Sequence, residues 1–297
     1  MLPSASWIAD HESSVFWTLF VVIFLAVAHW ESGRQNRELI VSAGKRWARH
    51  GVNLLISNAF AILLLRTSPV LAAIAAAEWG WGLFQQVAVP YWLQFLVAIL
   101  VLDFVKYGGH WLLHAFSWLW RVHQVHHSDP DFDVSTTWRA HPLEVLVMQS
   151  LTIGTVFALA LPPLAVFTGE MLAMAIGFIE HANTSLPQPW ERWVRRWIIT
   201  PDVHRIHHSA RIEEQWTNLG ELFPLWDRLF GTYRDQPEGG AQNLVVGLDG
   251  FHNARSLDFS TLLLLPFQHR APMPGEPRLP ASQTENAPPE LPPAVRE

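Results

Sequence analysis

Five runs of this sequence are apolar for long enough to cross a bilayer, which takes about 20 residues, and that narrows its possible folds most sharply. The first is SVFWTLFVVIFLAVAHW, residues 14–30. The second extends over about residues 53–77 through LLISNAFAILLL, with Arg66 and Pro69 marking a break or an end partway. The third, YWLQFLVAILVLDFVKYGGHWLLH, starts at Tyr91. The last two, about 143–161 and 164–179, are joined by LPP, a helix-breaking turn, and read as a helical hairpin. The expected fold class is all-α: a polytopic membrane helical bundle of about four to five spans. Composition agrees, since 15% of the residues are charged, against roughly 25% in an ordinary soluble domain.

Lysine and arginine set the expected orientation. The segment between the first two runs carries Arg34, Arg37, Lys45, Arg46 and Arg49, which places it in the cytoplasm. The acidic N-terminus, MLPSASWIADHESS, lacks a positive signal-peptide n-region, so the first run is expected to be retained and its start to lie outside. Alternation from there brings residues 121–139 and 192–211, both rich in histidine, to the cytoplasmic side as a helical cap. An even number of crossings around Arg66 would invert this arrangement. The expected residence is the inner or plasma membrane. A net charge of −6, with no broad basic patch, speaks against a nucleic-acid partner.

The chain has 15 histidines and no cysteine, so imidazole is its only soft metal donor. His-x-x-His-His-Ser occurs twice, as HQVHHS from His123 and HRIHHS from His204. On a helix, residues three and four apart share a face. His123 therefore neighbours His126 and His127, His204 neighbours His207 and His208, and His110 neighbours His114 in HWLLH. Packed imidazoles at a membrane face without partners would each cost a few kcal/mol, and a bound metal removes that cost. With His181 the inventory is nine ligands. One zinc takes about three or four, so two metals are expected. Imidazole suits iron, zinc, copper or nickel. The isolated His11, His29, His50, His252 and His269 are expected to make ordinary hydrogen bonds.

The boxes HWLLH, HQVHH and HRIHH between apolar helices resemble those of the fatty acid hydroxylase (sterol desaturase) superfamily. RAHPLE (139–144) and NLGELFPLWDRLFGTY (218–233) are similar to further motifs of that family, and the likeness covers about residues 101–233. The resemblance implies a diiron centre on the cytoplasmic side, zinc being the alternative metal as purified. O2 would be the co-substrate for hydroxylating or desaturating a lipid. The implied ligands are His110, His114, His123, His126, His127, His204, His207 and His208, with His181 in a further box. Members with ten ligands have two histidines in that box. Here Gly177 and Ser185 stand four residues either side of His181, so His141 is a candidate for the gap, or one metal keeps an open position.

Several residues are candidates for a supporting role. Asp103 is expected either to accept from a ligand histidine or to pair with Lys106. Glu180 reads as a membrane-surface carboxylate or as a partner of the site. Asn183 and Asn218 are candidates to orient imidazoles or to cap turns. The stretch WERWVRRWI (190–198) is expected at the lipid headgroups. No flavin or haem motif occurs, and without cysteine a thiolate-bound cluster is excluded. A separate electron donor is therefore implied, a reductase, ferredoxin or cytochrome. Competing readings are a membrane dimetal hydrolase and a non-catalytic metal-binding protein. The expected organisation is 1–100 as N-terminal spans, 101–235 as the dimetal domain, 236–270 as a segment packed on the cap, and 271–297 as a disordered Pro-rich tail.

Overall fold

The computed structural model describes residues 3–248, 251, 258–268 and 271–273. Among them there is no strand, only an isolated bridge between Ser209 and Val246. Helix α1 (Ala5–Gly33) opens on Ser4, whose hydroxyl accepts from Trp7 N. Helix α2 (Ala43–Leu65) ends where Arg66 turns left-handed at φ 56°. Helix α3 (Pro69–Glu78) starts with a Ser68 cap and a first-turn proline. A single turn, α4 (Leu83–Gln86), leads to α5 (Tyr91–Ala115) and α6 (Ser117–His127). A 3₁₀ turn at Val134–Trp138 precedes the hairpin of α7 (Pro142–Leu159) and α8 (Pro163–Glu180). The short helices α9 (Trp190–Val194), α10 (Pro201–His207) and α11 (Leu225–Phe230), and finally α12 (Phe259–Gln268), complete the cap.

Five stretches are long and apolar enough to cross a membrane: α1, Ala43–Gln86, α5, α7 and α8. The chain is an integral membrane protein. Leu55, Ile62 and Leu63 of α2 and Leu96, Leu100 and Phe104 of α5 point outward. Hydrocarbon there removes them from water as a core would.

The run expected over 53–77 is two helices. α2 alone has 23 residues, about 34 Å at 1.5 Å per residue, enough for one crossing. Both ends of α3 lie at the end of the bundle away from the histidine-bearing ends of α5 and α8. Ser68 Oγ donates to Glu12 near the start of α1, and Trp79 and Trp81 pack on Phe157 near the end of α7. α3 thus leaves and returns at one end. Its alanines Ala73 and Ala76 let it press into the core formed with Val156, Leu161, Ala165 and Val166.

At the other end a buried ionic knot ties the chain together. Arg46, one of the five basic residues that set the expected orientation, is fully buried. Its guanidinium donates Nη1 and Nη2 to Asp129 at 2.8 Å each, and Nε and Nη2 to Asp133 at 2.9 and 3.0 Å. Asp131 lies 3.3 Å from Nη1 and accepts from the Ile40 and Val41 amides. Burial alone would raise the Asp129 pKa, but Arg46 beside it holds that carboxyl below the usual range. Nearby, Glu31 accepts from the Val134 and Asn183 amides, and Asn53 donates to the Trp138 and Ala140 carbonyls. Residues 31–53 therefore lock segment 129–140, which follows the second histidine box.

The C-terminal segment packs on α6. Leu248, Phe251, Leu262 and Leu265 surround Trp120 and Val125. Ala271, expected to begin a disordered tail, is buried and held at both its backbone groups, by Trp120 Nε1 and Gln124 Oε1. Residues 274–297 of that expected tail lie outside the described residues.

Removing one partner of a buried ionic network leaves charge uncompensated and costs about 3–5 kcal/mol. Arg46→Met should lower the unfolding free energy of the purified protein in detergent by that order, and with it the unfolding midpoint. Arg46→Lys should recover only part of it, because an ammonium cannot serve two carboxylates in a planar fork. A midpoint unmoved by Arg46→Met would contradict this account.

Candidate metal centre

The structure brings together all nine histidines of the four boxes, in two buried groups. Nitrogens of His110, His114, His123, His127 and His207 lie within 4.8 Å of one another, as do those of His126, His181, His204 and His208. The repeated motif divides between the groups. On α6, His123 and His127 stand one turn apart and enter the first group, while His126, rotated off that face, enters the second. At α10, His204 and His208 enter the second group and His207 the first. Each motif thus gives two nitrogens to one group and one to the other, in reciprocal fashion. The rings mesh where they meet, with His127 stacked on His208 at 4.7 Å and His126 against His208 at 4.5 Å. The α5 pair His110 and His114 completes five in the first group, and His181 completes four in the second.

Proton placement tests whether these residues fit a metal. A carbonyl oxygen can only accept, so a ring nitrogen bonded to one must carry the hydrogen. His110 Nδ1 donates to Leu219 O at 2.9 Å, His207 Nδ1 to Thr217 O at 2.9 Å, and His181 Nδ1 to Gly177 O at 2.8 Å. His123 Nδ1 donates to Glu144 Oε1 at 2.8 Å. In neutral rings all four Nε2 atoms are then bare lone pairs. Yet His110 Nε2 and His123 Nε2 face each other at 3.1 Å with no proton between them. His127 Nε2 to His123 Nε2 is 3.2 Å, and the chain His208, His204, His181, His126 runs through contacts of 3.2, 3.1 and 3.2 Å. Adjacent nitrogens on one ion at about 2.1 Å are about 3.0–3.4 Å apart. Further nitrogens, His114 Nε2 and His207 Nε2, are buried without a hydrogen-bond partner. The donor set fits two cations.

Protonation offers the second group no other remedy. Burial pushes the His207 ring down to about 3 and the His181 ring to about 4. It also holds His126, His127, His204 and His208 well below the usual imidazole value, and the neighbouring rings add to the effect. These residues are neutral donors at physiological pH.

The carbonyls that fix the rings are themselves held. Asp227 accepts from the Leu219 and Gly220 amides, both at 2.8 Å, and shapes the loop that presents Leu219 O to His110. A Cβ at Gly220 would meet Asp227 at 2.7 Å and the Phe223 carbonyl at 2.9 Å, so only glycine fits there. Asp103 touches neither a histidine nor Lys106. It accepts from Leu222 N and Trp226 Nε1 and anchors the far side of the same loop. Asn218 adopts φ 55° and donates to Val203 O and Arg234 O, steadying α10 through its backbone. Asn183 donates to Arg37 O instead of to an imidazole.

Two carboxylates approach the rings. Glu144, in the first turn of α7, is bonded to His123 as described; RAHPLE had drawn attention to the motif but not to this side chain. Glu180 is buried, not at the membrane surface, with its oxygens 3.7 Å from His181 Nδ1 and 3.9 Å from His204 Nδ1. His204 Nδ1 and Glu180 Oε2 both lack a hydrogen-bond partner. His141 joins neither group: its Nδ1 accepts from Leu143 N at the start of α7, and its Nε2 faces Leu263 O. Ser185 is likewise engaged elsewhere, with Asn36 and Asp202. Phe132, fully buried, closes the second group against His181 and His208. Trp190, Trp193 and Trp197 are exposed, as headgroup-facing residues are.

A cavity of about 330 Å³ borders the groups, lined by His110, His123, His126, His181 and His204 and extending between α1, α2, α5, α7 and α8. Residues 95–232, just under half of the chain, match the fatty acid hydroxylase family model, and over that stretch the chain is similar to the fatty acid hydroxylase superfamily. Over 158 residues the chain is 30% identical to an ornithine lipid hydroxylase of Rhizobium tropici, covering 53% of this chain and 46% of that protein. It is 28% identical over 155 residues to human alkylglycerol monooxygenase, covering 52% of this chain and 34% of the relative. It is 27% identical over 144 residues to mouse cholesterol 25-hydroxylase, covering 48% and 47%. The chain thus spans less than half the length of these curated relatives. No solved structure matches it.

Losing a group that orients a metal-bound histidine typically costs about 10–100-fold in metal affinity. Glu144→Gln should therefore release one metal equivalent to a chelator at concentrations lower by about that factor, with the second equivalent retained. Glu180→Gln should weaken the other equivalent. Identical chelator titrations for both variants and the wild type would contradict the assignment.

Proposed function

We propose that this protein is a membrane-bound diiron oxygenase that uses O2 and external electrons to hydroxylate or desaturate a lipid. The observation that carries the proposal is a cavity among apolar helices whose wall exposes both groups of buried, unprotonated imidazole nitrogens. The first group would hold one metal through His110, His114, His123, His127 and His207. The second would hold the other through His126, His181, His204 and His208. Two iron ions there would supply the power to reduce O2 with two electrons and two protons, so that R–H becomes R–OH and the second oxygen atom leaves as water.

The chain's own residues supply the rest. The carbonyls of Leu219, Thr217 and Gly177 and the carboxylate of Glu144 keep four imidazoles in the tautomer that bares Nε2. Neutral ligands leave a cation's charge available to polarise what binds it. The second group offers four nitrogens against the first group's five, so a metal held there would have fewer protein ligands. Phe132 and the buried histidine rings exclude stray water from it. A lipid entering from the bilayer would reach the rings through the cavity, with membrane lipids around it. Electrons would come from a separate reductase, ferredoxin or cytochrome, since no cysteine is available for a cluster. The relatives' names point to lipid oxygenation as the common chemistry: ornithine lipid, alkylglycerol and cholesterol.

Purified protein should carry two metal ions per chain and consume O2 in proportion to lipid product when iron-loaded and given reductant. His207→Ala should lower conversion by at least about 100-fold and reduce the metal content of the first group. Two zinc ions with full turnover and no O2 uptake would sink the oxidative reading in favour of hydrolysis.

The orientation is tested separately. Since the chain has no cysteine, single replacements label cleanly. Lys45→Cys, at the histidine end, should react with a membrane-impermeant maleimide only from the cytoplasmic side, and Ser4→Cys only from the outside. The reverse pattern would invert the proposed placement of the metal site.

A further inference from the structure

The cavity beside the histidines is not apolar throughout. One helical turn before His110, Lys106 enters its wall from α5 and meets Glu170 of α8, Nζ to Oε1 at 3.4 Å. Glu221, in the loop that presents Leu219 O to His110, lines the same space within electrostatic reach of Lys106. Asn58 and Gln149 add neutral polar groups. The ion pair is longer than a well-formed hydrogen bond, and Glu170 Oε1, though shut off from solvent, lacks a hydrogen-bond partner.

A purely hydrocarbon substrate would have to lie against this corner and leave its charges unsolvated, which is unfavourable. The charge balance restricts the occupant further. Glu144 and Glu180 are taken up against the histidine rings. That leaves one cation, Lys106, facing two carboxylates, Glu170 and Glu221. An anionic group would meet an uncompensated negative charge. A hydroxyl or an ammonium could donate to Glu170 Oε1 and satisfy it.

We propose that Lys106, Glu170 and Glu221 form a polar grip for the hydrogen-bond-donating end of an amphiphilic substrate, so that the oxidised position is counted from that end. This rests on the oxygenase reading for the chemistry but not for the binding. The grip disfavours a free fatty carboxylate, whatever the family's name suggests. Lys106 and Glu170 lie beyond the metal-ligand sphere and act through the substrate.

The test is equilibrium binding of labelled hexadecan-1-ol, hexadecan-1-amine, hexadecanoate and hexadecane to full-length, metal-loaded protein in phosphatidylcholine nanodiscs, with empty nanodiscs as background. The alcohol and the amine should each bind at least about tenfold more tightly than hexadecane and hexadecanoate. The double variant Glu170→Gln/Glu221→Gln should erase the amine's advantage and bring hexadecanoate closer to the alcohol. Lys106→Met should push hexadecanoate lower still. Hexadecane or hexadecanoate binding the wild type as tightly as the alcohol overturns the grip, and this ranking decides even where a variant fails to fold. An unchanged ranking in a folded double variant also overturns it. Metal content and O2 uptake on the same samples keep the two readings apart. A flat ranking with two metals and product formation sinks the grip alone, and the expected ranking without lipid oxidation sinks the oxygenase alone.

Discussion

Two lone pairs pointed at each other across 3.1 Å, on His110 and His123, are the constraint on which this structure turns. Each ring has its proton committed outward, one to a carbonyl and one to a carboxylate. In a buried, low-dielectric site the repulsion between them is not screened. Only a positive charge placed between them reverses its sign. A metal held there would link ligation to folding, since the energy of ligation would help hold distant segments together. The surrounding network follows from the same need. Asp227 sets the loop that fixes Leu219 O, Glu144 fixes His123, and the Arg46 knot fixes the segment between α6 and α7.

The reciprocal use of the two His-x-x-His-His motifs explains why the pattern occurs twice. A helix turns 100° per residue, so positions i and i+4 differ by about 40°, while i+3 lies about 60° from i on its other side. Such a motif presents nitrogens to two points, two to one and one to the other. A single motif cannot balance two ions. Two motifs facing each other, each giving its pair to the ion that receives the other's single histidine, can do so. The asymmetry of five and four then comes from the remaining elements. α5 gives an i, i+4 pair, whereas the end of α8 gives His181 alone. The positions where a second residue would stand are spent on structure, Gly177 O on the His181 proton and Ser185 on Asp202.

The local patterns were legible in the sequence because local geometry is periodic. Apolar runs gave the spans, spacings of three and four gave eight of the histidines, and the family resemblance pointed to His181. What depended on distant partners was not legible. Arg46 reads as one of several loop basics, and nothing local announces three aspartates more than 80 residues away that bury it. Asp103 reads as a partner for a histidine or for Lys106, since only the fold brings the Leu222 amide to it. Glu144 hides in a motif as an ordinary first-turn acid. His141 looks like a spare ligand until the structure shows its ring capping α7. The break in the second span was legible at Arg66 and Pro69, but its consequence was not: α2 and α3 are continuous in hydropathy, and where α3 runs depends on where Arg66 turns left-handed and what Ser68 meets on α1.

Charge accounting ties the site to the cavity. Burial holds the four imidazoles of the second group neutral, and the two carboxylates beside the rings, Glu144 and Glu180, are split between the groups. Asp129, Asp131 and Asp133 lie nearby and are paired with Arg46. Two divalent cations in the groups would therefore keep a net positive field at the cavity wall, the condition under which a bound oxygen ligand is polarised. The acids left over, Glu170 and Glu221, share a single lysine. With cations in the groups, the histidine wall would be positive and the Glu170–Glu221 corner negative, which would orient an amphiphile before any specific contact forms: an electron-rich or neutral segment toward the histidines, a donor group toward the acids. In a chain with so few charges, their distribution inside this cavity is the strongest discriminator the fold offers.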